Sequence, residues 1–265
     1  MTFAANLFEG KTLFAAGATS GINLGIANTF ARLGAKVFVL SRSAEKVETA
    51  VATLRETGAQ ADGAAADVRD YAMVKAAVDR CAERFGPIDF VLSGAAGNFV
   101  SRAADLSSNG FRTVIDIDLV GSFHVCRAAY EHLRKPGAVV INISATQSFT
   151  PMEGQVHVCA AKAGIDAMAR VLAIEWGPEG VRVNTIAPGP VEGTEGMRRL
   201  TPSEAQRKML ADGIPLRRYA TIQEIADTAV FLCSPAGGYM NGEVVVCDGG
   251  QSLLGGKSFS DLWAA

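Results

Sequence analysis

Apolar residues recur along the chain in two alternating periods. Short runs bounded by turn residues, Thr12 to Ala16, Lys36 to Leu40, Ile88 to Leu92, Ala138 to Ile143, Arg182 to Ile186 and Glu243 to Cys247, predict buried strands, with a weaker one over Ala61 to Ala66. Between them, helical patterns lie near 22–33, 44–57, 70–85, 111–134, 158–176 and 221–233. Strands alternating with helices predict an α/β fold of Rossmann type: a doubly wound parallel sheet with its ligands outside the carboxyl ends of the strands. Residues 191–216 break the rhythm, being polar and holding Pro202 and Pro215, and are expected to form a small lid over the site. No repeat or linker divides the rest, so a single domain is expected over 1–265.

Charge narrows the partners. Lys and Arg number 25 against 27 Asp and Glu, a net charge of −2, without the basic excess that a phosphodiester backbone demands, so nucleic acid is not an expected partner. No run reaches the roughly 18 consecutive apolar residues of a membrane span, and Met1 to Gly10 lacks the pattern of a signal peptide. Cys81, Cys126, Cys159, Cys233 and Cys247 are odd in number and widely spaced, which supports neither a disulfide framework nor a zinc site. A cytoplasmic protein without a metal is expected, and Asp261 to Ala265 carries no peroxisomal or reticular address.

Directly after the first strand stands Gly17-Ala-Thr19-Ser20-Gly21-Ile22-Asn23-Leu-Gly25, opening the first helix. Glycines there let the backbone approach a pyrophosphate, which the unpaired N–H groups of the helix start attract. A tight βα turn without a ligand is the plainer reading. At the end of the second strand, Ser41 and Arg42 stand where a cofactor with a free ribose 2′-hydroxyl would call for a carboxylate. A hydroxyl and a planar cation suit a 2′-phosphate and favour NADPH, against Arg42 as an ordinary surface residue. Asp67 and Val68 close the third strand, where the adenine is expected.

Two ionisable residues fall on apolar faces. At about 100° per residue, Val158, Lys162, Ile165, Ala169, Leu172 and Trp176 share an arc of roughly 80°. Lys162, the polar member of that stripe, needs a carboxylate or a ligand, or must snorkel to solvent. On the preceding helix, Asp116 shares a charged face with Arg112, Arg127, Glu131 and Arg134, where pairing with Arg112 is expected. Asp118 points the other way, among Val114, Gly121, Val125 and Ala129, and is a candidate acid or hydrogen-bonding group.

These positions together resemble the short-chain dehydrogenase/reductase family over nearly the whole chain. The matching pieces are Gly17 to Gly25, Asp67-Val68, Ala95-Ala-Gly97, Asp118-Leu-Val-Gly-Ser-Phe123, Val140-Ile-Asn-Ile-Ser144, Lys162, Arg182-Val-Asn184, Pro188-Gly189-Pro190 and Asp248-Gly-Gly250. The family's usual catalytic set is Asn, Ser, Tyr and Lys. Here Asp118, Ala145 and Val158 hold the first three places, and Lys162 alone remains. That pattern is similar to the 2,4-dienoyl-CoA reductases of peroxisomal type, with further likeness at Ala95 to Phe99, Gln155-Val-His157 and Pro188 to Leu200. Asn23 stands in place of the family's third glycine, which implies a helix slightly farther from the strand, with Gly25 as partial compensation. Ser93 and Gly94 replace the more usual polar pair before Ala95.

The resemblance implies NADPH-dependent reduction of a 2,4-dienoyl-CoA thioester, with an acyl-CoA as substrate and a homotetramer as the assembly. It assigns Lys162 to the nicotinamide ribose, the backbone around Val191 after Pro188 and Gly189 to the carboxamide, and Thr194 to a phosphate. Asn98 is the candidate for orienting the substrate, and Asp118 with Lys162 for placing the water that delivers a proton. Between Glu195 and Arg218 six basic residues face three acidic ones, a lid suited to coenzyme A phosphates or simply a solvated surface. His124 and His157 read as packed helix residues. Two other readings stand: a reductase of another activated C=C or C=O bond, and a catalytically silent NADPH-binding scaffold.

Overall fold

A computed structural model describes residues 3–254, so the expectations for Met1, Thr2 and Asp261 to Ala265 lie outside the described residues. Seven strands, β1 (Thr12–Ala16), β2 (Lys36–Ser41), β3 (Ala61–Ala65), β4 (Phe90–Ser93), β5 (Val139–Ile143), β6 (Arg182–Pro188) and β7 (Val244–Cys247), form one sheet in the order β3-β2-β1-β4-β5-β6-β7. Every pairing is parallel. All carboxyl ends therefore share one edge, and the order reverses between β1 and β4, where such sheets open a ligand crevice.

Strand side chains alternate between two cores because the strand period is two. Leu13, Ala15, Val37 and Val39 face α1 (Gly21–Arg32), α2 (Ala44–Glu56) and α9 (Ile222–Cys233). Phe14, Ala16, Phe38 and Leu40 face α3 (Tyr71–Phe85), α5 (Gly121–Ala129) and α6 (Val156–Trp176). Burial on both faces explains why β1, β2 and β5 read as continuous apolar runs. The apolar stripe on α6 is buried along its length, Lys162 included.

Most helices begin on a side-chain cap: Ser43 accepts from Lys46 N–H, Asp70 from Ala72 and Met73, and Thr221 shares a capping box with Glu224. At α1 the cap residue Ser20 makes no such bond. Residues 191–216 carry two short helices, α7 (Glu195–Leu200) and α8 (Glu204–Asp212), whose Leu200 and Leu210 pack with Val100, Met152 and Met197.

The helix expected over 111–134 is divided. α4 (Ser108–Ile115) passes into a π-turn, Asp116–Val120, then α5, and ends in a 3-10 turn at Tyr130–His132. Arg134 consequently leaves the helical face assigned to it and binds Asp89, 2.6 Å away, beside Lys11. Asp116 forms no ion pair with Arg112 among the described residues, while Arg127 and Glu131 do pair at 3.2 Å. Asp118, inside the π-turn, is 1% exposed. The turn lies close to α6 because Gly164 carries no side chain: a Cβ there would sit 2.7 Å from Leu119 Cδ2.

Candidate active site

The loops that follow β1, β4, β5 and β6 enclose a cavity of about 290 Å³ at the carboxyl edge of the sheet. Gly17 has a φ of +72°, and a Cβ on it would lie 2.6 Å from Ala95 Cα, so the turn after β1 can pass the loop after β4 only as glycine. Gly21 and Ile22 open α1 on the cavity wall, with Thr19 and Ser20 just before them. The uncapped first turn leaves backbone N–H groups facing outward, an arrangement that suits a phosphate. Across the cavity stand Pro188, Gly189 and Thr194. The Thr194 hydroxyl donates to Val191 carbonyl oxygen at 2.9 Å and accepts from Met197 N–H, which fixes the entry to the lid. Val191 itself is buried.

Lys162 lines the cavity from α6 and is 6% exposed. Its Nζ lies 3.1 Å from Asp118 Oδ2 and donates to the Ile143 carbonyl at 3.1 Å. The snorkelling alternative does not apply, since the ammonium is paired inside the protein. Asp118 stands behind Lys162, and its Oδ1 accepts from Gly97 N–H at 2.7 Å. One carboxylate thus joins the lysine to the loop after β4. Asn98, next on that loop, lines the cavity with a buried Oδ1 that no protein group meets.

The same loop is held from its other side by Gln155, which the sequence marks only within a stretch of family likeness, and by His157, read there as a packed helix residue. Gln155 Nε2 and His157 Nε2 both reach the Phe99 carbonyl, at 3.2 and 3.1 Å, and the Phe99 ring packs on the His157 imidazole with centroids 4.4 Å apart. Burial pushes the His157 imidazole below its ordinary value, against the opposing pull of the Phe99 carbonyl and the field of Asp118. A neutral ring with its proton on Nε2 follows. Gln147, Ser144 and Thr146, also unassigned from the sequence, face the cavity from the turn after β5.

The positions of the family's missing Ser and Tyr carry no hydroxyl. Ala145 lines the cavity, and Val158 is buried with Val114 and Ala161 between α4 and α6.

Ser41, Arg42, Asp67 and Val68 lie along the same sheet edge but outside the cavity lining. The end of β2 is tied to the end of β3 by the Ala66 N–H to Ser41 carbonyl bond of 2.9 Å. Arg42 is exposed and forms no ion pair among the described residues. Asp67 is instead held by Arg69, whose guanidinium hydrogen bonds keep its carboxyl below the usual carboxylate range. Val68 packs beneath Gly121 and offers its carbonyl to His124 Nδ1 at 2.8 Å. In the lid, Arg198 and Arg199 both pair with Glu195 and Lys208 pairs with Asp212, and just beyond it Arg218 reaches Glu224 on α9. These exposed pairs occupy cations that a phosphate would have to share.

The sequence model of the enoyl-(acyl carrier protein) reductase family matches residues 17–252. A peroxisomal 2,4-dienoyl-CoA reductase of Rattus norvegicus is 44% identical over 251 residues, which cover 94% of this chain and 86% of its own. Among solved structures, a citronellol catabolism dehydrogenase of Pseudomonas aeruginosa superposes with a TM-score of 0.83 at 33% identity, over 94% of this chain and 98% of that one. A short-chain dehydrogenase of Burkholderia cenocepacia in complex with NADP matches with a TM-score of 0.83 at 27% identity, over 92% and 98% of the two chains.

Proposed function

The chain belongs to the short-chain dehydrogenase/reductase family, and from that premise we propose that it reduces a 2,4-dienoyl-CoA thioester to an enoyl-CoA with NADPH. The observation that carries this reading is the buried Asp118–Lys162 pair beside a cavity whose Ser and Tyr positions are Ala145 and Val158. Ketone reduction of the family's usual kind draws its proton from the tyrosine at the second of these positions, and Val158 has none to give. When bound, the dihydronicotinamide supplies a hydride to the substrate.

The chain's own residues fit such a cofactor. The glycine turn at Gly17 and the open first turn of α1 suit a pyrophosphate, and the exposed guanidinium of Arg42, which forms no ion pair among the described residues, suits a 2′-phosphate together with Ser41. Asp67 and Val68 flank the adenine end. Lys162 holds the ribose hydroxyls, Val191 and its neighbours hold the carboxamide by their backbone, and Thr194 faces the phosphate turn. Asn98 orients the thioester from the cavity wall, where its amide NH₂ group is the end able to donate to the thioester oxygen. Asp118 keeps Lys162 in place and, with it, positions the water that protonates the product.

Residues 191–216 act as a lid for the acyl-CoA within the one domain. A homotetramer is part of this reading, supported by exposed apolar side chains on α4 and α5, Phe111 and Phe123, and on α6, Val171 and Ile174. A cytoplasmic setting belongs to this reading as well: the five cysteines are free, as in any reducing compartment, and no helix of the described residues is long and apolar enough to cross a membrane.

The test is NADPH consumption with a short 2,4-dienoyl-CoA against a 3-oxoacyl thioester. Turnover of the diene alone is expected. Turnover of the ketone alone would sink the assignment, and NADPH binding with no turnover of either would favour a silent scaffold. Cofactor choice is tested separately: Arg42→Ala is expected to raise the NADPH dissociation constant about 10- to 100-fold and to change that for NADH less than about threefold, by fluorescence titration.

A further inference from the structure

Asn23 is the third residue of α1 and is 8% exposed. Its Nδ2 donates to the Gly94 carbonyl at 2.7 Å and to the Gly17 carbonyl at 3.2 Å. Both partners are acceptors, so only the NH₂ end of the amide can face them. One side chain thereby joins the turn after β1 to the loop after β4. The two strands are neighbours, with Ala16 opposite Ser93, and the Gly94 N–H to Ala16 carbonyl bond of 3.2 Å carries their pairing one step further.

The room for Asn23 comes from Gly94. The three atoms nearest to a Cβ built on Gly94 all belong to the Asn23 amide, with Oδ1 at 2.6 Å and Cγ at 2.7 Å. Gly25 plays no compensating part, because it faces Ile222 on α9 instead. Asn23 and Gly94 both line the cavity, between the phosphate turn and the loop that carries Asn98.

We propose that Asn23 is a positioning residue which, with Gly94 as its obligate partner, clamps the pyrophosphate turn to the substrate loop and so sets cofactor affinity. Beyond Gly94 that loop is tied to Asp118 through Gly97 N–H and to Gln155 and His157 through the Phe99 carbonyl. Asn23 adds a further anchor and its link to α1. The cofactor half of this inference rests on the reductase reading; the half concerning the loop does not.

The experiment combines Asn23→Gly, Asn23→Leu, Gly94→Ala and the double variant Asn23→Gly/Gly94→Ala. Loss of two hydrogen bonds in Asn23→Gly or Asn23→Leu is expected to raise the NADPH dissociation constant about 5- to 30-fold, with kcat on the best substrate changed less than about twofold. In the protein without cofactor, amide hydrogen exchange of residues 94–97 should quicken by about tenfold. Gly94→Ala should be damaging in the native background and nearly silent beside Asn23→Gly, where its methyl no longer meets the amide. Should Asn23→Leu fail to fold, Asn23→Gly carries both measurements. Native exchange at 94–97 in Asn23→Gly, or an equal cost of Gly94→Ala in both backgrounds, would overturn the proposal. Failure of the native protein to bind NADPH would instead count against the reductase reading, and the exchange measurement would still decide whether the clamp exists.

Discussion

Lys162→Met is expected to lower both stability and turnover more than any other single substitution in the site. The ammonium is 6% exposed and its partner carboxylate 1%, so removing one member strands a buried charge. Such losses cost about 3–5 kcal/mol, against ion pairs at the surface that are worth less than about 1. For a chain of 265 residues that corresponds to a fall in Tm of roughly 6–20 °C, read by thermal unfolding without cofactor. The Ile143 carbonyl also loses its lysine donor. Turnover of the dienoyl thioester should fall by about 10²- to 10⁴-fold, and NADPH affinity should weaken with it if the cation holds the ribose as proposed. The two losses can be separated. Lys162→Met/Asp118→Asn leaves no buried charge and should regain most of the Tm while remaining inactive. A double variant as unstable as Lys162→Met would show that packing, not the pair, holds the two helices here.

The parts of this site that were legible in the sequence are those written in local periods. The stripe of α6 is such a case: its apolar members recur three and four residues apart, and all of them are buried with Lys162 among them. The glycine turn is another, since Gly17 directly follows an apolar run of strand length. Contacts across the chain were not legible. Nothing in the spacing says that Lys162 meets Asp118, which depends on Gly164 passing close to Leu119. The π-turn at 116–120 has an apolar pattern that an unbroken α-helix would share, so its extra residue leaves no mark, and Arg134 lies off the expected face because the helix ends in the 3-10 turn at Tyr130–His132. Asn23 looked like a defect of the glycine motif because its compensation is 71 residues away at Gly94. Gln155 and His157 were invisible as loop anchors for a different reason: their shared partner is a backbone carbonyl, that of Phe99, which no residue pattern records.

Asp118→Asn should separate the anchoring role of this side chain from its chemical one. The aspartate serves two partners at once, Gly97 N–H at Oδ1 and Lys162 Nζ at Oδ2. An asparagine of nearly the same volume has one carbonyl oxygen and can accept from only one of them, while its NH₂ group must face the other donor. With the loop kept and Lys162 left without its counter-charge, the dienoyl thioester should turn over about 10²- to 10³-fold more slowly, and its KM should change less than about threefold. Asp118→Ala removes both acceptors and leaves a cavity behind Lys162. Its Gly97 N–H is unpaired, residues 97–99 lose one of their anchors, and KM for the thioester should rise along with the fall in kcat. The two variants therefore differ in KM and agree in kcat if the carboxylate both holds the loop and serves proton delivery. Near-native kcat in Asp118→Asn would leave the residue with the loop alone, and the proton would have to come from another group facing the cavity, of which Ser144 and Thr146 are the nearest in chain position to the missing serine.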